Sequence, residues 1–168
     1  DGSVVTWGYY GTGGDSRAVA SELDGTIDVI NITSNNSSYA ALREDGSVIT
    51  WRSGSQGFAG NGGKLPVNLN TGDITQVVGG HDAFAALKED GSIVCWGDSR
   101  DIVGLEEQLL NKPSNVVEIF STHGMYGSGF AAIDKDGKVR TWGHKKYGGD
   151  SSKVASHLAS EVKKVYSA

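Results

Sequence analysis

Read for apolar periodicity, the chain spells one short phrase four times. Asp1-Gly-Ser-Val-Val-Thr-Trp-Gly returns as Asp45-Gly-Ser-Val-Ile-Thr-Trp, Asp90-Gly-Ser-Ile-Val-Cys-Trp-Gly and Asp136-Gly-Lys-Val-Arg-Thr-Trp-Gly. The four aspartates are 44, 45 and 46 residues apart. A fixed period of this length is the mark of a repeat architecture. Within each phrase the residues alternate. Val4 and Thr6 share one face, and Val5 and Trp7 the other. Arg140 replaces the aliphatic beside Trp142, so that face must meet solvent or a polar partner in the last repeat. Trp7, Trp51, Trp96 and Trp142 occur one per repeat, as do Gly2, Gly46, Gly91 and Gly137. These eight positions are read as structural.

Before three of the four Asp-Gly pairs stands an aromatic-Ala-Ala-aliphatic run: Tyr39 to Glu44, Phe84 to Glu89 and Phe130 to Lys135. Two short apolar runs around Asp-Gly predict a β-hairpin. The expected connection is a two-residue type I′ turn, with φ > 0 at both central residues. Further upstream come Ile27/Ile30, Ile74/Val77, Val116/Ile119 and Val162/Val165. Their spacing of three, in β-branched residues, predicts a short strand with a bulge or kink. The last copy, in Glu161 to Ala168, ends where the next Ala-Ala strand should begin.

The loops after Trp-Gly vary. Gly13 to Leu23 and Gly148 to Leu158 are nearly the same, with Val19/Leu23 and Val154/Leu158 four apart. They predict one helical turn tucking two apolar side chains onto the sheets, capped by Asp15 or Ser16 and by Asp150 or Ser151. Leu105/Leu109 offer the same in repeat three. Leu65/Leu69 do so in repeat two, where Pro66 and the glycines between 54 and 63 predict a looser loop. Each unit therefore holds three or four strands and one variable loop, which is the size of a propeller blade. The paired alanines let neighbouring sheets approach, and the tryptophans fill what remains.

The spelling Ala-Ala-Leu-x-x-Asp-Gly-Ser-Val-x-x-Trp-Gly resembles the regulator of chromosome condensation repeat family over essentially the whole chain. Members form β-propellers, usually seven-bladed. The resemblance implies a propeller-blade fold and a binding platform rather than a reaction. The founding member promotes nucleotide exchange on a small nuclear GTPase, other members sit in ubiquitin ligases, and a secreted relative inhibits β-lactamases. This chain departs from the pattern. The usual Gly-Gln-Leu-Gly after Trp-Gly is missing, and the Gly-x-x-His lead-in survives only loosely as Gly79-Gly80-His81. Fold is carried over; exchange residues are not.

The expected fold is all-β, with four consecutive propeller-type blades forming a partial or open ring. One repeat domain spans 1–168, with periods 1–44, 45–89, 90–135 and an incomplete 136–168. Seven blades at this period would need about 315 residues. An arc completed by another chain, or a piece of a longer protein, is expected over a closed four-bladed ring.

Composition fits this. Glycine supplies 25 of 168 residues, about twice its usual share, because each unit uses it in its turn, after its Trp and in its loop. A single cysteine excludes an internal disulfide framework and Cys-rich zinc sites. No apolar run is long enough for a transmembrane helix.

Candidate chemistry is thin. Asp134-x-Asp136-Gly resembles the start of a calcium loop, but its twelfth position is Lys145 rather than Glu. It reads as a hairpin turn. His81, His123, His144 and His157 lack metal-ligand spacing. Cys95 stands where other repeats have Thr and reads as a strand thiol, not a nucleophile. Gly11-x-Gly13-Gly14 has no helix of useful length behind it. No catalytic site, cofactor or metal is expected.

Charge is uneven, at −4, −1, −4 and +4 by period, summing to −5. Lys138, Arg140, Lys145, Lys146, Lys153, Lys163 and Lys164 form a candidate basic docking patch, for an acidic protein or for peripheral contact with a membrane complex. Nucleic acid is disfavoured by the acidic total. Asn31, Asn35 and Asn36 head N-glycosylation sequons, which matter only in a secreted protein.

The functional expectation is a non-catalytic protein-interaction or scaffold module, a subunit or segment of a larger assembly. Its loops 8–26, 52–73 and 97–115 would choose the partner. The alternatives are an exchange or regulatory factor for a small GTPase, and an enzyme inhibitor using Tyr9, Tyr10, Phe58 and Tyr126.

Overall fold

A computed structural model describes residues 1–9, 13–52, 69, 71–97, 101, 102, 104 and 114–166. Nine strands form three sheets. Strands β1 (Val29–Ser34), β2 (Ser38–Arg43) and β3 (Val48–Arg52) make the first. Strands β4 (Ile74–Gly79), β5 (Ala83–Lys88) and β6 (Ile93–Gly97) make the second. Strands β7 (Val116–Ser121), β8 (Gly129–Asp134) and β9 (Val139–Gly143) make the third. Each sheet is an antiparallel meander in chain order, and three such sheets fit an open propeller. Every sheet straddles a sequence-period boundary, joining an Ala-Ala strand to the following Trp strand. The remaining period is divided between the two ends, and residues 1–9 and 159–166 join no sheet.

The hairpins form at Asp-Gly, but the turn differs from the expected type I′. Asp45, Asp90 and Asp136 keep negative φ, and only the glycines turn left-handed, with φ +72 at Gly46, +78 at Gly91 and +75 at Gly137. The Gly46 N–H donates to the Arg43 carbonyl (3.0 Å), and the Arg43 N–H donates to the Ser47 carbonyl (3.0 Å). This is a three-residue loop, a type I turn closed by a glycine bulge. The aspartate selects it, because the Asp45 carboxylate accepts the Ser47 N–H (3.0 Å) and the Asp90 carboxylate the Ser92 N–H (2.8 Å). Such a side chain binds its own backbone two residues on. Lys138 replaces that serine in the third hairpin, and there Asp134, at the end of β8, accepts the N–H groups of Asp136 and Lys138 instead.

The first strands are bulged as expected. Pairing shifts register between Val29 and Asn31, between Ile74 and Gln76, and between Val116 and Glu118. In the first sheet the spaced pair is Val29/Ile32 rather than Ile27/Ile30. Val29 faces Arg43 as Ile74 faces Lys88, which puts the true register two residues later. The helical turns are 3₁₀, at Arg17–Glu22 and Ser152–Leu158. Leu23 tucks in against Ala41 and Trp51, and Leu158 against Ile133 and Val139, whereas Val154 is exposed. Ser16 and Ser151 make no cap bond. Each hydroxyl instead meets the threonine of the preceding Trp strand, Thr6 and Thr141, at 2.9 Å. Leu65, Leu105, Leu109 and the glycine-rich loop around Pro66 lie outside the described residues.

The core lies between sheets. Ala40, Leu42 and Val48 of the first sheet meet Val77, Phe84, Ala86 and Trp96 of the second. Ala83, Ala85, Leu87 and Ile93 of the second meet Ile119, Phe130, Ala132 and Trp142 of the third. The alanines are almost fully buried, so the sheets close to contact across them. The first strands come nearest. A Cβ on Gly79 would strike the Ser34 carbonyl, and Gln76 bridges two sheets by donating to the Ile119 carbonyl (2.8 Å) and accepting its N–H (2.9 Å).

Candidate functional site

The four repeat tryptophans differ in burial. Trp51, Trp96 and Trp142 are buried, each stacked on the aromatic that opens the neighbouring middle strand. Trp7 is 83% exposed and Val5 77%. The repeat predicts that Trp7 fills space between sheets; in the structure it faces solvent, and among the described residues no ring stacks on it. Val4 does turn inward against Ala41, Trp51 and Leu23, and its N–H bonds the Leu23 carbonyl (2.9 Å). The outcome is a cleft of about 360 Å³, walled by residues 4–7 on one side and by Gly13, Ile32, Tyr39 and Trp51 on the other. The Trp51 indole N–H reaches across to the Gly13 carbonyl (3.0 Å), so the floor is rigidly held. Most of the exposed lining is apolar and aromatic, which suits it to a protein or peptide rather than a charged metabolite.

The opposite end carries a smaller counterpart of about 140 Å³, between Phe130, Ala131 and Thr141 on one side and Gly148, Val165 and Tyr166 on the other. Thr141, Gly148 and Val165 hold the same places in the repeat as Thr6, Gly13 and Ile32. Val162 and Val165 pack on Ala131, Ile133 and Val139, as a first strand does, without forming a ladder.

The basic residues do not form one uniform patch. Lys138, Lys145, Lys146, Lys153, Lys163 and Lys164 are exposed. Arg140 is turned in, with its guanidinium on Asp134 (3.0 Å). Burial alone would push the Asp134 carboxyl up, but the Lys138 N–H, Arg140 and the Asp136 N–H outweigh it and hold it below the usual carboxylate range. Lys145 and Lys153 share their loop with Asp150. The Ser152 N–H and these lysines hold its carboxyl low.

A buried cluster that the sequence did not announce joins the second and third sheets. Asp101, 2% exposed, accepts the Ser128 N–H (3.0 Å), the Ser128 hydroxyl (3.0 Å) and the Asp82 N–H (3.2 Å). Ser128 in turn accepts the His81 backbone N–H. An aspartate, a serine and a histidine stand together, but the His81 imidazole pairs with Asp82 (2.8 Å) and not with Ser128. Ser128 is fully buried, and its proton is committed to Asp101. The cluster is therefore a clamp between turns, not a nucleophile relay. Asp101 lies in a variable loop, where no repeat marks it. Burial pushes the Cys95 thiol up to about 12, which removes it as a nucleophile at neutral pH. Among the described residues, no group of three His, Cys, Asp or Glu side chains could hold a metal ion, and no helix is long and apolar enough to cross a membrane. Tyr9 and Tyr126 are exposed. Tyr10 and Phe58 lie outside the described residues.

No family model matches the sequence, and no curated protein matches it. Solved structures do. Human WBSCR16 superposes with a TM-score of 0.50 at 20% identity, over 73% of this chain and 35% of that one. Yeast RCC1 (Prp20), in its complex with Kap60, gives 0.49 at 21% identity, over 70% and 30%. The CRINKLY WD40 ectodomain of the Arabidopsis thaliana receptor kinase ACR4 gives 0.49 at 18%, over 72% and 41%. The chain spans roughly a third of the length of these structures. The likeness is one of fold. It agrees with the three antiparallel sheets of an open propeller.

Proposed function

We propose that the chain is a non-catalytic protein-interaction module, a subunit or segment of a larger propeller assembly, with its four periods acting as one repeat domain. One observation carries this reading: the exposed apolar cleft at Trp7. Residues 4–7 present Trp7 and Val5 to solvent, and Ile32 in the cleft wall is 44% exposed. A contiguous apolar surface of this kind marks a place where another protein binds. The loops after each Trp-Gly would select the partner, with the exposed lysines of the last period as a charged rim. Regulation of a small GTPase and inhibition of an enzyme are special cases of this reading, told apart by the identity of the partner.

The test is site-specific photocrosslinking in the cells that carry the gene. A photoreactive residue at position 5 should give a discrete adduct that is absent when it stands at position 135, which is exposed but remote from the cleft in the repeat. No adduct at position 5, or the same adducts at both positions, would overturn the reading. So would reproducible turnover of a hydrolase or nucleotide substrate that is lost on a single loop substitution.

A further inference from the structure

The first two sheets pass from first to middle strand through three residues, 35–37 and 80–82, whereas the third takes seven, 122–128. The closing bond is the same in all three. The Asn35 N–H donates to the Ser38 carbonyl (2.9 Å), the Gly80 N–H to the Ala83 carbonyl (2.8 Å) and the Thr122 N–H to the Gly129 carbonyl (2.8 Å). The third turn is therefore the common one with four residues added beyond its closing bond. They form one more rung, the Gly124 N–H on the Gly127 carbonyl (3.0 Å), and a two-residue tip of Met125 and Tyr126. Two extended residues in each arm raise that tip by about 7 Å over the turns of the other sheets.

Neighbours brace this tip on both sides. A Cβ on Gly124 would strike the Tyr147 ring, and one on Gly127 would press on the Asp101 carboxylate and the His144 imidazole. The Thr122 hydroxyl donates to the Tyr147 carbonyl (2.7 Å), and the His144 N–H donates to the Ser128 carbonyl (2.8 Å). Asp101 holds the Ser128 N–H from the other side (3.0 Å). Glycine thus stands where the braces press, and the large side chains stand at the tip alone. Met125, the single methionine of the chain, is 73% exposed and Tyr126 72%. Both keep negative φ, so neither is strained there. Tyrosine and methionine are among the residue types enriched at interface centres. On a braced tip they have little backbone freedom left to lose on binding. The surroundings are cationic. Segments 122–128 and 144–149 carry His123, His144, Lys145 and Lys146 and no Asp or Glu, and both lysines are exposed.

We propose that Met125 and Tyr126 are a plug for an apolar pocket on a partner protein, and that carboxylates at the rim of that pocket face Lys145 and Lys146. The plug holds the complex together, and the lysines steer its formation and exclude basic surfaces. An anionic bilayer offers the same two chemistries, but the whole chain carries a net −5, which opposes adsorption to a broad negative surface. A protein pocket meets only the local rim. This inference shares the interaction reading but not the cleft that carries it, since the surface is a different one.

The test uses the whole chain with p-benzoylphenylalanine at position 126, irradiated in the cells that carry the gene, and mass spectrometry of the crosslinked peptides. One protein adduct is expected, with its crosslinked segment in an apolar pocket edged by Asp or Glu. Its yield should fall about tenfold when Lys145→Glu and Lys146→Glu are combined in the same chain. With the partner so identified and purified, Met125→Ser combined with Tyr126→Ser should weaken its Kd for the chain about thirtyfold. Both changes are at exposed side chains, so the fold stays intact. No protein adduct, lipid adducts alone, a crosslinked segment without carboxylates, a yield indifferent to the charge reversal, or an affinity indifferent to the serines would each overturn the proposal. The two failures are separable. An adduct at position 126 without one at position 5 keeps the plug and removes the cleft. An adduct at position 5 without one at position 126 keeps the cleft and removes the plug.

Discussion

The Tyr39 ring lies over the Trp51 indole, with 5.3 Å between centroids and 12° between planes. Tyr39 opens the middle strand and Trp51 closes the hairpin, so one stacking contact ties the ends of the unit together. The same contact recurs with Phe84 on Trp96 (5.2 Å, 19°) and Phe130 on Trp142 (5.5 Å, 13°).

That recurrence separates the four tryptophans. Trp142→Ala deletes an indole that is 1% exposed and should cost about 3–5 kcal/mol in urea unfolding. Trp7→Ala deletes an exposed one and should change stability by no more than about 0.5 kcal/mol. Equal losses would mean that Trp7 is not the solvent-facing member.

The turn glycines are predicted to be unequal. A Cβ on Gly91 would meet the Ser114 carbonyl oxygen in a backbone already at φ +78. Gly91→Ala should therefore cost about 2 kcal/mol or more, from left-handed strain together with a backbone clash. Gly8, at φ +111 with nothing within 4 Å of such a Cβ, bears the conformational cost alone, about 1 kcal/mol. Thermal unfolding of the two variants checks the order.

Asp134 ties stability to pH. Its folded carboxyl sits below its unfolded value, so the stabilisation is present above about pH 4 and drains away as pH falls through the folded value. Asp134→Asn leaves Arg140 half-buried and without its carboxylate, and should lose about 3 kcal/mol at neutral pH. Melting curves of the two proteins should converge as pH is lowered. A constant gap down to acid would exclude the linkage.

Cys95 should be silent. With its thiol raised to about 12 by burial and its side chain half-buried, a disulfide reagent at neutral pH should label the native chain far more slowly than the unfolded chain. Rapid stoichiometric labelling would place the side chain at the surface.

Most of the fold was legible because the repeat writes it four times. The hairpins, the bulged first strands and the inward Leu23 follow from spacing and alternation. The turn type did not follow, because Asp-Gly serves two hairpin geometries, and the choice rests on whether the aspartate binds its own backbone or turns left-handed. The shift from Ile27/Ile30 to Val29/Ile32 escaped because isoleucine and valine crowd that stretch, and only pairing with Arg43 selects among them. The Asp101 clamp was invisible, since a variable loop carries no periodic signal. The Trp7 cleft was hidden by its own regularity. The phrase around Trp7 reads like its three copies, and only the structure shows it exposed.

Amide hydrogen exchange at Val5 and Trp7 bears on this account most directly. In the free chain both amides should exchange as fast as unprotected backbone, while those of Ile49 and Trp51, at the same places in a complete hairpin, are protected. Protection of Val5 and Trp7 equal to that of Ile49 and Trp51 would contradict it.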